Sequence, residues 1–87
     1  MPQQKHSMYH EYLNFMYRAF GEAGKNPALL SETTDLVADM NLSSLQVMEL
    51  IANIEDHFDL SIPLNILPDI RTIGDLARKL DELDDGA

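Results

Sequence analysis

Few side chains in this 87-residue chain have the type and spacing that chemistry requires. Ser43 and Ser44 stand side by side where the stretch Asp39-Met40-Asn41-Leu42 gives way to an apolar pattern of helical period. A hydroxyl at such a place has two uses. It can cap a free backbone N–H, or carry a phosphate ester favoured by the unpaired N–H groups and positive dipole end of the helix. Capping alone explains a Ser-Ser pair at a helix start, so spacing leaves both uses open. His6 and His10, at i and i+4, lack a third ligand for a shared metal, and with His57 they show no spacing that marks a general base. Ser44 has no G-x-S-x-G setting, there is no glycine-rich phosphate loop, and there is no cysteine. No constellation for catalysis is present, and the chain reads as a non-enzyme.

The helix that would position the serines runs through Asp39 to Asp59, DMNLSSLQVMELIANIEDHFD. Ser43 followed three residues later by Gln46 is a capping-box pattern, so the helix should begin near Ser43. At about 100° of rotation per residue, Val47, Leu50, Ile51, Ile54 and Phe58 share one arc and form the core side. Leu45, Met48 and Ala52 make a second, narrower stripe on roughly the opposite side, bordered by Glu49, Glu55, Asp56 and Asp59. An apolar stripe with acidic borders suggests a docking surface. Rotation turns Ser43 toward the core and Ser44 toward that stripe.

Around this helix the other elements follow in order. Residues 7 to 24, with Met8, Tyr12, Phe15, Met16, Ala19, Phe20 and Ala23 near helical spacing and Gly24 as the stop, predict a first helix. Residues 25 to 42 predict a long packed loop, with a turn at Asn26-Pro27, anchors at Leu29, Leu30, Leu36, Val37 and Met40, and a short helical turn over Ser31 to Leu36. Pro63 should start a short helix and Pro68 should stop it. Thr72, with Asp75 at N3, should cap a last helix whose buried stripe is Ile73, Leu76, Leu80 and Leu83, and the tail DELDDGA should fray. No stretch alternates with period two. The expectation is one all-α domain over residues 1–87, ordered from about 7 to 83, built as a four-helix bundle of three longer helices and one short helix.

Composition narrows the partners. Six Lys and Arg against fifteen Asp and Glu give a formal net charge of −9, which repels phosphate backbones and anionic lipid and favours basic protein surfaces. No apolar run approaches the roughly 20 residues of a membrane span, and the N-terminal MPQQKHSMYHEY has no secretory pattern, so a cytoplasmic monomer is expected.

The run D-M-N-L-S-S-L-Q-V-M-E-L-I-A-N-I-E-D-H-F-D-L-S-I-P, followed by T-I-G-D-L, resembles the acyl and peptidyl carrier proteins. Their hallmark is D-L-G-x-D-S-L, then E-L-x-x-x-x-E and F-x-x-x-I-P, then T-V-G-D, and the register holds without a gap from Asp39 to Leu80. The resemblance implies a bundle of the acyl carrier protein type and a covalent 4′-phosphopantetheine on Ser44, the serine before the leucine, whose thiol holds intermediates as thioesters. It implies a partner surface at Leu45, Met48, Glu49, Glu55 and Asp56, which the helical wheel places on or beside the second stripe. The implied partners are a phosphopantetheinyl transferase and acyl- or aminoacyl-loading, condensing and modifying enzymes. Ile54, Phe58, Leu64, Leu67 and Ile70 would bound a small apolar interior for cargo.

Two positions depart from the pattern: Asn41 stands for the usual glycine and Ser43 for the usual aspartate, and Gln46 lowers the acidity just after the motif. That lowered acidity leans toward specialised polyketide or peptide assembly rather than bulk fatty-acid synthesis. The alternative is a carrier-fold interaction module that binds a partner through the same helix without a prosthetic group.

Overall fold

A computed structural model describes residues 7–86. Three α-helices form the frame: α1 at Tyr9–Glu22, α2 at Ser44–Phe58 and α3 at Ile73–Gly86. Two 3₁₀ elements interrupt the connections, at Pro27–Leu29 and Leu64–Asp69. The described residues contain no strand, only an isolated antiparallel bridge between Asp35 and Thr72. This is the expected all-α bundle with a long first connection.

The α1 helix buries Tyr12, Leu13, Met16 and Phe20 and packs along α3. Leu13 lay outside the predicted stripe, and Ala23 within it is exposed. The helix ends as its glycine requires. Gly24 takes a φ of 98°, the Lys25 N–H reaches the Phe20 carbonyl at 2.9 Å, and the Gly24 N–H reaches Gly21 at 3.1 Å, the paired bonds of a Schellman motif. The start of α1 is held both locally, the Ser7 hydroxyl accepting the Tyr9 N–H at 3.3 Å, and from α3. The Asp81 carboxylate accepts the Met8 N–H at 2.9 Å and the Ser7 hydroxyl at 3.3 Å. That tie joins the start of α1 to α3, whose span runs to Gly86.

The first connection departs from expectation at several points. Its 3₁₀ element sits at Pro27–Leu29, where the Asn26 side chain accepts the Ala28 N–H at 3.1 Å. A single hydrogen-bonded turn spans Ser31–Thr34, with the Thr34 N–H on the Ser31 carbonyl at 3.1 Å, but the longer helical turn falls over residues 35–40. Asp35 decides this, because its carboxylate accepts the N–H groups of Val37 and Ala38 at 2.9 and 2.8 Å, while Asp39 reaches back to the Asp35 N–H at 2.8 Å. Those backbone donors, Ala38 first and then Val37, hold the Asp35 carboxyl below its ordinary range, with Arg71 assisting. Leu36 and Met40 are buried as expected, but Leu29 and Val37 are 78% and 63% exposed and anchor nothing.

The turn closes at Asn41, whose φ is 58°. Its N–H bonds the Val37 carbonyl at 2.9 Å, the single bond of a left-handed helix cap. Glycine adopts this backbone most readily, and asparagine is among the few other residues that tolerate it. The departure at Asn41 therefore keeps the conformation.

The loop is pinned to the start of α3. Leu36 N–H bonds the Arg71 carbonyl at 2.8 Å, Ile73 N–H bonds Thr34 at 3.0 Å, and Gly74 N–H bonds Glu32 at 2.8 Å. A Cβ on Gly74 would stand 2.9 Å from that Glu32 oxygen, so the close approach needs a residue without one. The Tyr9 hydroxyl also donates to the Glu32 carboxylate. Thr72 and Asp75 form the expected reciprocal cap, the Thr72 hydroxyl accepting the Asp75 N–H at 3.0 Å and the Asp75 carboxylate accepting the Thr72 N–H at 3.1 Å. Ile73, Leu76, Ala77 and Leu80 are fully buried beneath it.

Pro68 lies inside the second 3₁₀ element, which runs on to Asp69 instead of stopping before the proline. Ile66 on this element is buried, as is Ile62 just before it.

Candidate functional site

The α2 helix is organised as its sequence requires. Leu50, Ile51 and Ile54 are buried, and Val47 and Phe58 are half-buried. Phe58 meets Tyr12 edge-on at 4.7 Å between ring centroids and Phe15 at 5.4 Å, which seats the C-terminal half of α2 on α1. Its N-terminus is fixed by a complete capping box. The Ser43 Oγ accepts the Gln46 N–H at 3.2 Å, and the Gln46 Oε1 accepts the Ser43 N–H at 2.8 Å. Serine thus does the capping that the family's aspartate would do, an interaction worth about 0.5–2 kcal/mol.

The two serines are now distinguished. Ser43 has its hydroxyl and its backbone N–H committed to the helix. Ser44, the first residue of α2, is exposed, and its hydroxyl has no hydrogen-bond partner among the described residues. No acidic side chain occupies the first turn. A phosphate ester on Ser44 would meet the positive end of a 15-residue helix with no nearby carboxylate in that turn to oppose it.

Beside Ser44 lies an open groove of about 430 Å³. Leu36, Val37 and Leu42 supply one wall from the loop, Val47 and Met48 a second from α2, and Leu67 and Ile70 a third from the short helix. Ser43 and Ser44 stand at its edge, and no charged residue lines it. An exposed hydroxyl at a helix start beside an uncharged groove fits a phosphate-linked arm that bears an apolar load.

This corrects the predicted apolar interior. Leu67 and Ile70 do border the space near Ser44, but Ile54 is fully buried in the core, Phe58 belongs to the aromatic contact with α1, and Leu64 is 55% exposed. The groove's loop wall was missed, because Leu36 and Val37 read as plain anchors. The helical turn over residues 35–40 leaves Val37 exposed beside the groove and Leu36 buried against it.

A model of the family described as "Phosphopantetheine attachment site" matches residues 19–80. The chain belongs to that family. Among its relatives, a probable acyl carrier protein from Caulobacter vibrioides is 42% identical over 45 residues, 52% of each chain. An acyl carrier protein from Chlamydia muridarum is 31% identical over 61 residues, 70% of this chain and 79% of that one. One from Wolinella succinogenes is 34% identical over 56 residues, 64% and 74% of the two chains. The chain therefore spans about half the length of the Caulobacter relative and about three quarters of the other two. As a member of the acyl carrier family it is a carrier and not an enzyme, and the family's group is covalent 4′-phosphopantetheine.

Within this carrier, the five residues of the anticipated partner surface do not share one flank. Leu45 is 65% exposed at the crest of α2. Met48, 43% exposed, turns toward the groove and Ser44. Glu49 and Asp56 are exposed on the opposite flank, in hollows shared with Ala19 of α1. Glu55 is half-buried, and its carboxylate accepts the Ile62 N–H at 2.7 Å. No group of three or more potential metal ligands occurs among the described residues, and His6 lies outside them. No described helix is long and apolar enough to cross a membrane.

Proposed function

We propose that Ser44 carries the 4′-phosphopantetheine and that the arm holds acyl intermediates as thioesters. One observation carries the assignment: the capping box uses the Ser43 hydroxyl and leaves the exposed Ser44 hydroxyl without a partner among the described residues. In priming, the Ser44 Oγ–H bond is exchanged for an Oγ–P bond to the pantetheine-bearing phosphate of coenzyme A. The pyrophosphate bridge breaks, its electron pair leaves with adenosine 3′,5′-bisphosphate, and the hydroxyl proton passes to a base on the transferase. The attached group supplies the thiol.

The chain's own residues then do three things. The N-terminus of α2 stabilises the phosphodiester. The groove, lined by seven apolar side chains and two serines, favours an acyl cargo over an aminoacyl group, whose ammonium would find no carboxylate in it. Leu45 and Met48 with Glu49 and Asp56 offer a mixed apolar and acidic surface to basic partner enzymes, which we take to be the phosphopantetheinyl transferase and acyl-loading, condensing and modifying enzymes of a fatty-acid or polyketide type of assembly in the cytoplasm. Glu55 contributes charge to that surface while holding the loop behind it.

Intact-protein mass spectrometry after incubation with a broad-specificity phosphopantetheinyl transferase and coenzyme A tests the assignment. A single phosphopantetheine mass on the wild type, absent from Ser44→Ala, is expected. No gain on the wild type, or an undiminished gain on Ser44→Ala, overturns it.

A further inference from the structure

We infer that Gln46 is a positioning residue for priming, one that reserves Ser43 for the helix and thereby makes Ser44 the acceptor. The inference rests on the proposed attachment at Ser44 and asks what distinguishes two adjacent serines.

Both hydroxyls lie at the edge of the same groove and both residues are exposed, so access alone does not separate them. Their hydrogen bonding does. The Ser43 Oγ accepts the Gln46 N–H at 3.2 Å, and the Gln46 carboxamide in turn accepts the Ser43 N–H at 2.8 Å. An Oγ that accepts an N–H has a lone pair withdrawn from nucleophilic use, and its esterification would leave a poorer acceptor in the cap. The Gln46 side chain adds the second half of the lock by fixing the Ser43 backbone, and with it the direction of Oγ. Upstream, Leu42 is buried and its N–H bonds the Leu36 carbonyl at 3.1 Å, so the chain entering Ser43 is held on that side as well. Without the carboxamide, the Ser43 N–H loses its partner, and although the Oγ still accepts the backbone N–H of residue 46, the Ser43 backbone no longer fixes its direction. Its competition with Ser44 then rises.

The chemistry at either serine is the same transfer from coenzyme A. Only the oxygen that forms the new bond to phosphorus changes, so the position of the product is the direct readout. Glutamate at position 46 preserves the reciprocal cap, since Glu and Gln both serve at N3. It provides the conservative rescue, which separates positioning from a general loss of structure.

The experiment compares Gln46, Gln46→Ala and Gln46→Glu, each with Ser44 present and with Ser44→Ala, using a phosphopantetheinyl transferase and coenzyme A. Tandem mass spectrometry locates the group, and thermal unfolding confirms a folded chain. The expected result is modification of Ser44 alone in the wild type and in Gln46→Glu, with a Ser43 product appearing in Gln46→Ala. In the Ser44→Ala background, where Gln46 should keep Ser43 unmodified, Gln46→Ala should bring Ser43 modification to a measurable rate, and Gln46→Glu should abolish it again. A Ser43 rate that is the same for all three residues at position 46, including a rate of zero, overturns the inference while leaving attachment at Ser44 intact. A wild type that is not modified at all overturns the proposed attachment itself.

Discussion

The Glu55 carboxylate accepts the Ile62 N–H at 2.7 Å, so a residue on the flank of α2 holds the start of the segment that leads into the short helix. Removing the acceptor leaves a part-buried donor without its charged partner. Glu55→Ala should lower stability by about 1.5 kcal/mol, a fall of roughly 6–12 °C in Tm, and Glu55→Gln, which keeps an acceptor oxygen, should lose less. Calorimetry of the two variants checks this. A partner-binding defect in Glu55→Ala then has a structural component that one in Asp56→Ala does not.

Met48 borders the groove and is 43% exposed, with no place in the core. Met48→Glu should leave Tm within the range of surface substitutions, about 0.5 kcal/mol. Its KM for the transferase should rise by about tenfold as an apolar contact is replaced by a charge that the partner must desolvate. Steady-state priming kinetics, read beside thermal unfolding, separates the two effects.

Asn41 has a φ of 58° immediately before the residues that start α2. Asn41→Gly should be close to neutral, and Asn41→Val should destabilise by about 1–3 kcal/mol, because a β-branched residue is strained in the left-handed region. Urea unfolding of the pair measures the difference.

Asp35 and Asp75 both have carboxyls below the ordinary range. At Asp35 the cause is first the Ala38 and Val37 N–H groups. At Asp75 burial pushes the value up, but the Thr72 and Arg71 N–H groups, the Thr72 hydroxyl and Arg78 outweigh it. With folded values below the unfolded ones, the unfolded chain binds more protons in between, so stability rises with pH there. Both contributions are complete above the unfolded value of about 3.9 and disappear as pH falls through the lower folded values. Asp35→Asn should therefore flatten the acid limb of the stability curve below about pH 4 and leave its slope near neutrality unchanged. Urea midpoints taken across that range provide the check.

The elements readable from the sequence were those governed by local rules. The capping boxes at Ser43 and Thr72, the glycine stop at Gly24 and the 3.6-residue stripe of α2 each involve residues within a few positions of one another, and each is present. The first connection was harder, because its conformation is set at a distance. Asp35 competes for the helical turn, and Arg71, Thr34 and Glu32 supply bonds between the loop and α3 that no periodicity reveals. The groove was misjudged for the same reason. Its loop wall is made by residues that look, in sequence, like ordinary core anchors. The fate of Ser43 was half visible: the capping box could be read from Ser43 and Gln46, but that Ser44 has no partner among the described residues needed the folded chain.

Two of the three walls of the groove beside Ser44 are a pinned loop and a 3₁₀ segment, and only the third is a long helix. Irregular segments open locally at lower free energy than helices packed into a core. Any adjustment of the groove therefore falls on the loop and the short helix, while α2 keeps one shape. On the proposed reading, a carrier of this build changes what it holds without changing the face offered to its partners.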